Sequence, residues 1–313
     1  MRLAEIKNVL IVGAGTMGHS IAQVYAQGGI EVNLIDVNHD VLKRAINLIK
    51  SNLIILAEFN RVNKKDIPEI LDRIHTSTEL SNAAKKADLV VEAVNEVPEL
   101  KTTIFSQLEE YCSENTILAS NTSSLDIFEI AKVKNPERLV IQHWFAPPYI
   151  IPLVEIVPGP KTSKETVEIS VKLLEQLGKK PVVLKKFIKS FIVNRIQGAI
   201  GGVVYDLLSS KVATPEDIDA AIKYSLGIRL PIVGVVQTLD FTGIDLLYDI
   251  FKSRDIEIPI ISKKVEQGHL GAKTSKGFYD YNGKDEIEIL NKRDRLYLKM
   301  LDYLEKIKAF EPV

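Results

Sequence analysis

The sequence predicts an α/β protein: a doubly wound, largely parallel sheet over residues 1–185, followed by an all-helical domain over residues 186–313. Three observations carry this prediction. Apolar, strand-like runs alternate with helix-like segments up to about residue 185 and fade beyond it. The first run, residues 9–12, ends in the glycine turn Gly13-Ala14-Gly15-Thr16-Met17-Gly18, and a helical pattern follows directly. The second run, residues 32–35, ends at Asp36, 18 residues beyond Gly18.

That order of strand, GxGxxG turn, helix, strand and acid is the Rossmann arrangement for a dinucleotide. Gly13 permits the tight turn, Gly15 lets the backbone approach a pyrophosphate, and Gly18 lets helix pack closely on strand. The helix start offers free N–H groups and a positive dipole end to phosphates. A carboxylate at Asp36 accepts from the ribose hydroxyls of NAD and repels the additional phosphate of NADP. After Asp36, residues 41–59 carry Leu42, Ala45, Ile46, Ile49 and Leu53 at helical spacing. A polar turn and a short helix at 67–72 complete a helical arm, about 41–72, ahead of a third strand at 89–93. A helix at 98–111, a strand at 117–119 and the polar turn 120–125 come next. Strands at 139–142, 153–157 and 181–184 follow, the last two joined by a helix at 164–177 that ends at Gly178.

In the second half, residues 191–208 are apolar on nearly every face and carry Gly198, Gly201 and Gly202. Glycine costs helix stability, so its expected use here is the close approach of another helix. A helix this apolar is not expected to face water, and part of it is expected to form a homodimer interface. Thr214-Pro215 opens the next helix as N-cap and first position.

The chain has 313 residues, 46% hydrophobic and 26% charged, with a formal net charge of −1. Such a balance makes no electrostatic case for nucleic acid or an anionic membrane as partner. Cys112 is the one cysteine, which excludes an internal disulfide and a cysteine metal cluster. The first strand begins within about eight residues of the start, and no apolar run approaches the roughly 20 residues of a membrane span, so the expected location is cytoplasmic. His19, His39, His75 and His269 lack metal-ligand spacing and read as surface or structural, and no metal is expected.

Candidate chemistry gathers at strand ends, where open α/β sheets place ligands. His143 closes the strand at 139–142, and Glu155 lies twelve residues on, in the next strand. Neighbouring strands can bring the two into contact, and a carboxylate then fixes the imidazole tautomer and stabilises the imidazolium. The same spacing also suits a structural histidine and an unrelated surface glutamate. The apolar run Leu153-Val154-Glu155-Ile156-Val157 favours a paired carboxylate, because an unpaired one is costly there. The turn 120–125 either donates hydroxyls to a substrate oxygen or caps a helix at 124–132. Asn194, in an apolar stretch, needs a protein or ligand partner.

Six segments in order resemble the L-3-hydroxyacyl-CoA dehydrogenase family: GAGTMG, VVEAVNE, ASNTSSL, HWFAPPYIIPLVEIV, SFIVNR and GAKTSKGFYDY. The resemblance implies an NAD-dependent oxidation of L-3-hydroxyacyl-CoA to 3-oxoacyl-CoA, with His143 as base and Glu155 as its orienting carboxylate. It implies that Ser123 binds the substrate oxygen, that Asn194 is the active-site asparagine, and that Glu96 and Lys101 line the NAD site with Gly13, Gly15, Thr16, Met17, Gly18, Asp36 and Ser123. The arm at 41–72 corresponds to the part of the family that holds CoA. Two segments depart from the family pattern. Ala146 stands where His-Phe-Phe-Asn-Pro has asparagine, and Gly234-Val235-Val236-Gln237 replaces Gly-Pro-Phe-Glu. PPYIIPLVEIVP is also similar to the L-gulonate 3-dehydrogenase and lambda-crystallin branch, so a sugar-acid oxidoreductase and a non-catalytic NAD-binding protein are the alternatives.

Overall fold

A computed structural model describes residues 6–311, which form two compact units that divide between Ala199 and Ile200. The first is built on one eight-stranded sheet. Its elements run β1 (Asn8–Val12), α1 (Gly18–Gln27), β2 (Glu31–Ile35), α2 (His39–Glu58), α3 (Ile67–Asp72), β3 (Ile74–Ser77), α4 (Leu80–Ala84) and β4 (Leu89–Glu92). They continue with α5 (Pro98–Tyr111), β5 (Ile117–Ser120), α6 (Ile127–Ile130), β6 (Leu139–Trp144), β7 (Leu153–Pro158), α7 (Lys164–Gln176) and β8 (Lys180–Val183), and the first residues of α8 (Val193–Ser209) close the unit before that helix runs on into the second. The strand order is β3-β2-β1-β4-β5-β6-β7-β8, and every pairing is parallel except β6 with β7. The order reverses direction between β1 and β4, which opens a crevice at their C-terminal ends.

The central strands β1, β4, β5 and β6 are buried on both faces, as a sheet covered by helices on both sides requires. Alternate residues feed two separate cores. Val9, Ile11, Val32, Leu34 and Val91 face one core, and Leu10, Val12, Ile35, Val90 and Leu118 face the other. In the first core, Leu42, Ala45, Ile49 and Leu53 of α2 join Ile67 and Ile70 of α3. The expected arm is therefore packed along its inner side, and Ile54, Ile55 and Phe59 remain exposed on it.

Two local expectations need correction, and the close partner expected at the α8 glycines is not supplied by the described residues of this chain. The strand at 89–93 is the fourth, because β3 pairs in parallel with β2 at the sheet edge. Ile-His-Thr-Ser buries only Ile74, so it has no apolar alternation to reveal it. The helix expected at 124–132 shrinks to the single turn α6. It is capped by Asp126, which accepts from the Phe128 amide, and not by the preceding serines. The glycines of α8 meet no neighbouring helix among the described residues. A Cβ on Gly198 or Gly202 would find nothing within 4 Å, and one on Gly201 would meet only Tyr205 of the same helix.

The second unit is helical, with α9 (Pro215–Ala221), α10 (Gly227–Thr242), α11 (Ile244–Lys252), α12 (Pro259–Glu266) and α13 (Glu286–Lys306). Thr214 and Asp217 close a full capping box at the start of α9. The GAKTSKGFYDY segment wraps a buried carboxylate, that of Asp240. Its oxygens accept from the amides of Phe278 (2.7 Å) and Tyr279 (2.9 Å) and from the Tyr281 hydroxyl (3.0 Å). Gly277 is required there, because a Cβ would lie 2.2 Å from Asp240 Oδ1.

Candidate active site

The β1–α1 turn has the shape of a dinucleotide cradle. Gly13 sits at φ +99°, and a Cβ there would lie 2.7 Å from the Ala93 carbonyl oxygen across the crevice. A Cβ on Gly18 would lie 1.7 Å from the Gly13 carbonyl, so α1 can start this close to β1 only with glycine. Gly15 differs: a Cβ on it would meet nothing within 4 Å, which leaves its backbone open to a ligand. The amides of Thr16 and Met17 find no acceptor among the described residues, so the N-terminus of this ten-residue helix is free to receive phosphate. Asp36 directly follows β2 and lines the same cleft, of about 530 Å³, with Gly13, Gly15, Val37 and Val94. Its Oδ2 accepts from the Ala14 amide (2.9 Å) and its Oδ1 from the Asn38 amide (3.1 Å), which fixes the carboxylate and leaves acceptor capacity on both oxygens.

Farther along the same sheet rim, register decides the chemistry. His143 and Glu155 are directly paired residues of the antiparallel β6–β7 ladder, so both side chains leave one face. His143 Nδ1 lies 2.8 Å from Glu155 Oε2, with the side chains 6% and 1% exposed. The second oxygen, Oε1, accepts from the amides of Ile192 and Val193, each at 3.0 Å, at the start of α8. Burial alone would raise the Glu155 pKa. The hydrogen bond and charge of His143 and the two amides outweigh it and hold the carboxyl below its ordinary range. An ionised Glu155 therefore draws the ring proton to Nδ1 and leaves Nε2, which has no partner among the described residues, as a lone-pair acceptor. Phe145 and Phe191 flank the imidazole, with ring centroids 4.5 and 5.1 Å away.

The turn after β5 lies beside this pair. Asn121 Oδ1 accepts from the Trp144 amide (2.9 Å) and so ties the turn to the end of β6. Glu96 holds the rest. Its Oε1 accepts from Thr122 Oγ1 (2.6 Å), the Ser123 amide (2.8 Å), the Ser124 amide (3.1 Å) and Ser123 Oγ (3.2 Å). Four donors exceed what one oxygen can serve well, and the Ser123 hydroxyl, the longest, is the easiest to release to another acceptor. Asn194 Nδ2 reaches the Ser123 carbonyl at 3.4 Å, a long contact that places the amide next to the same turn. Burial would raise the Glu96 pKa, but Thr122, Lys101 and the Ser123 amide together lower it.

Lys101 is 1% exposed, and its ammonium lies 2.7 Å from Glu92 and 3.2 Å from Glu96. It meets the site through these carboxylates rather than through the cleft beside Asp36. Sequence reasoning passes over Glu92, Asn121, Phe145, Phe191 and the amides of Ile192 and Val193. For Glu92 the signal is present: an acid inside the apolar run Leu89-Val90-Val91-Glu92-Ala93, the same signature that singles out Glu155.

Comparisons with known proteins identify the family. The NAD binding domain of 3-hydroxyacyl-CoA dehydrogenase matches residues 8–187, and the C-terminal domain of the same family matches residues 191–281. A probable 3-hydroxybutyryl-CoA dehydrogenase of Bacillus subtilis is 37% identical over 290 residues, covering 90% of this chain and 99% of that protein. The 5-formyl-3-hydroxy-2-methylpyridine 4-carboxylate 5-dehydrogenase of Mesorhizobium japonicum is 29% identical over 309 residues, covering 96% and 99%. Among solved structures, a 3-hydroxyacyl-CoA dehydrogenase of Archaeoglobus fulgidus superposes with a TM-score of 0.80 at 29% identity, covering 96% of this chain and 99% of that one. With both of its domains matched by the family and a relative 37% identical over 90% of its length, the chain belongs to the 3-hydroxyacyl-CoA dehydrogenase family.

Proposed function

We propose that the protein catalyses the reversible, NAD-dependent oxidation of an L-3-hydroxyacyl-CoA to the 3-oxoacyl-CoA. The observation that carries this is the buried His143–Glu155 pair, with Nε2 left unpartnered on the rim that also holds the cradle. Gly13, Gly15, Thr16, Met17, Gly18 and Asp36 hold the cofactor. When bound, NAD supplies the hydride acceptor. His143 Nε2 takes the proton of the C3 hydroxyl as the C3–H electron pair departs as hydride. Glu155 offsets the positive charge that develops on the ring, and its own two amide bonds keep it from following the proton. The Ser123 hydroxyl and the Asn194 amide donate to the oxygen that becomes a carbonyl.

The test is NADH oxidation with acetoacetyl-CoA, followed by absorbance, beside L-gulonate with NAD. Turnover of acetoacetyl-CoA is the expected result. Its absence with saturating substrate, alongside turnover of L-gulonate, would replace the acyl-CoA reading. A substrate without CoA is the second reading, and two observations favour it: Ala146 replaces the family asparagine, and the Mesorhizobium relative is named for a pyridine carboxylate.

A further inference from the structure

We propose that Glu92 and Lys101 are positioning residues that set the Ser123 turn through a closed ring of hydrogen bonds, buried at Glu92, Ser120, Thr122 and Lys101. Glu92 ends β4, is 0% exposed, and has both carboxylate oxygens engaged. Its Oε1 accepts from Lys101 Nζ (2.7 Å) and the Val94 amide (2.8 Å), and its Oε2 accepts from Ser120 Oγ (2.6 Å). Ser120 Oγ accepts in turn from the Thr122 amide (3.2 Å). Thr122 Oγ1 donates to Glu96 Oε1, and Glu96 Oε2 returns to Lys101. The ring thus runs Glu92, Ser120, Thr122, Glu96, Lys101 and back to Glu92.

Glu92 grips the turn from two directions. Through Ser120 it holds the end of β5, which the sheet register sets directly opposite it. Through Lys101 it holds Glu96, whose other oxygen collects the amides of Ser123 and Ser124. Lys101 projects from the first turn of α5 and shares one charge between two carboxylates. Without it, Glu96 loses the ammonium on Oε2 and its grip on the turn is set by the turn alone. A buried ion pair is a poor source of stability compared with apolar packing of the same volume. Its product here is geometry: four donors of one turn converge on a single oxygen. That geometry sets where the Ser123 hydroxyl can point.

The proposal rests on the reading that Ser123 contacts the reacting oxygen, and the experiment separates the two. The paired substitution Glu92→Gln/Lys101→Met removes one charge of each sign and cuts the link to Glu96. Turnover of acetoacetyl-CoA should fall about 10- to 100-fold in kcat, with KM changed less than about threefold. In a Ser123→Ala background the same pair of substitutions should cost less than about threefold, because the group it positions is gone. Factors that multiply in full would overturn the proposal. Amide hydrogen exchange supplies an arm that needs no substrate. Exchange at Ser123 and Ser124 should quicken at least about tenfold in the paired variant, while the amides of β1 and β4 keep their protection. Unchanged exchange at both serines would overturn the proposal even if acetoacetyl-CoA is not turned over, an outcome that would separately remove the acyl-CoA reading. Should the paired variant not fold, Glu92→Gln alone carries the same measurements, and the same results support or overturn the proposal.

Discussion

Replacing Glu155 with glutamine tests the acid–base assignment through the tautomer of one ring. Glutamine keeps the shape of glutamate but has one acceptor oxygen and one NH2, so it can be placed in two ways. With its oxygen toward His143 Nδ1, the NH2 confronts the amides of Ile192 and Val193, and both buried donors lose their acceptor. Each loss costs about 1–3 kcal/mol, or roughly 2–6 kcal/mol for the pair. With its oxygen toward the two amides, the NH2 donates to Nδ1 and all three hydrogen bonds survive. The second placement wins by that margin. It forces the proton onto Nε2, the nitrogen that must be bare to accept from the C3 hydroxyl.

Glu155→Gln should therefore fold nearly as well as wild type and fail in chemistry. The expected loss in kcat for oxidation of L-3-hydroxybutyryl-CoA is about 10²- to 10⁴-fold, the range for a general base. At 1.36 kcal/mol per decade this is about 2.7–5.4 kcal/mol in the barrier. The assays are NADH absorbance for kcat, urea unfolding for stability, and 15N chemical shifts of the imidazole for the tautomer. A variant that keeps kcat within about threefold of wild type, or whose ring still carries its proton on Nδ1, would refute the reasoning.

Other expectations follow from the same geometry. His143→Ala should lose a comparable factor in kcat while binding NAD as wild type does, by calorimetry, because no cradle residue touches the ring. Asp36 should make the enzyme prefer NAD over NADP: two unit charges about 4 Å apart repel by roughly 1–4 kcal/mol between bulk water and a protein surface. Equal kcat/KM for the two cofactors would contradict it. Lys179 donates to the carbonyls of Pro148 and Ile151 and lies 5.6 Å from the Trp144 ring centroid, and burial pushes its pKa down to about 8. The unfolded chain then holds this proton longer than the fold does, so stability should rise between about pH 8 and the ordinary lysine pKa, by on the order of 1–2 kcal/mol after allowance for solvent screening. Urea midpoints of wild type and Lys179→Met at about pH 7.5 and 9.5 read the difference, and parallel shifts would count against it. Ala146→Asn restores the family residue and should preserve or raise acetoacetyl-CoA reduction, by up to the factor of about ten that one hydrogen bond is worth. A marked loss with the fold intact would instead show that alanine serves a different substrate.

What the sequence made legible is what depends on short-range order. The cradle is a local object: a run, three glycines and a helix start within eleven residues, and the positions of Gly13, Gly15 and Gly18 each have their own steric reason in the structure. α2, α3 and α7 follow their apolar spacing to within two residues. β3 was not legible, because an edge strand of four residues that buries one side chain leaves no pattern. α6 was not either, since the polar turn before it is organised by Glu96 from another strand end rather than by its own helix. The glycines of α8 implied a close partner, and no described residue of the chain supplies it.

The two buried glutamates show where the limit lies. Glu92 and Glu155 have one signature, a single acid in an apolar strand, and that signature is enough to say that each must have partners. It does not say which. Glu155 obtains His143 because an antiparallel ladder sets the two residues face to face after a turn that joins neighbouring strands. Glu92 obtains Ser120 because a parallel ladder does the same across an intervening helix, 28 residues away, and it obtains Lys101 because α5 returns over the sheet at that point. Twelve residues of separation can be guessed from strand spacing. A parallel register cannot, since the crossover helix leaves it free until the whole sheet has closed. Chemistry that rests on neighbouring antiparallel strands is thus readable before the fold is known, and chemistry that rests on parallel register becomes readable only with it.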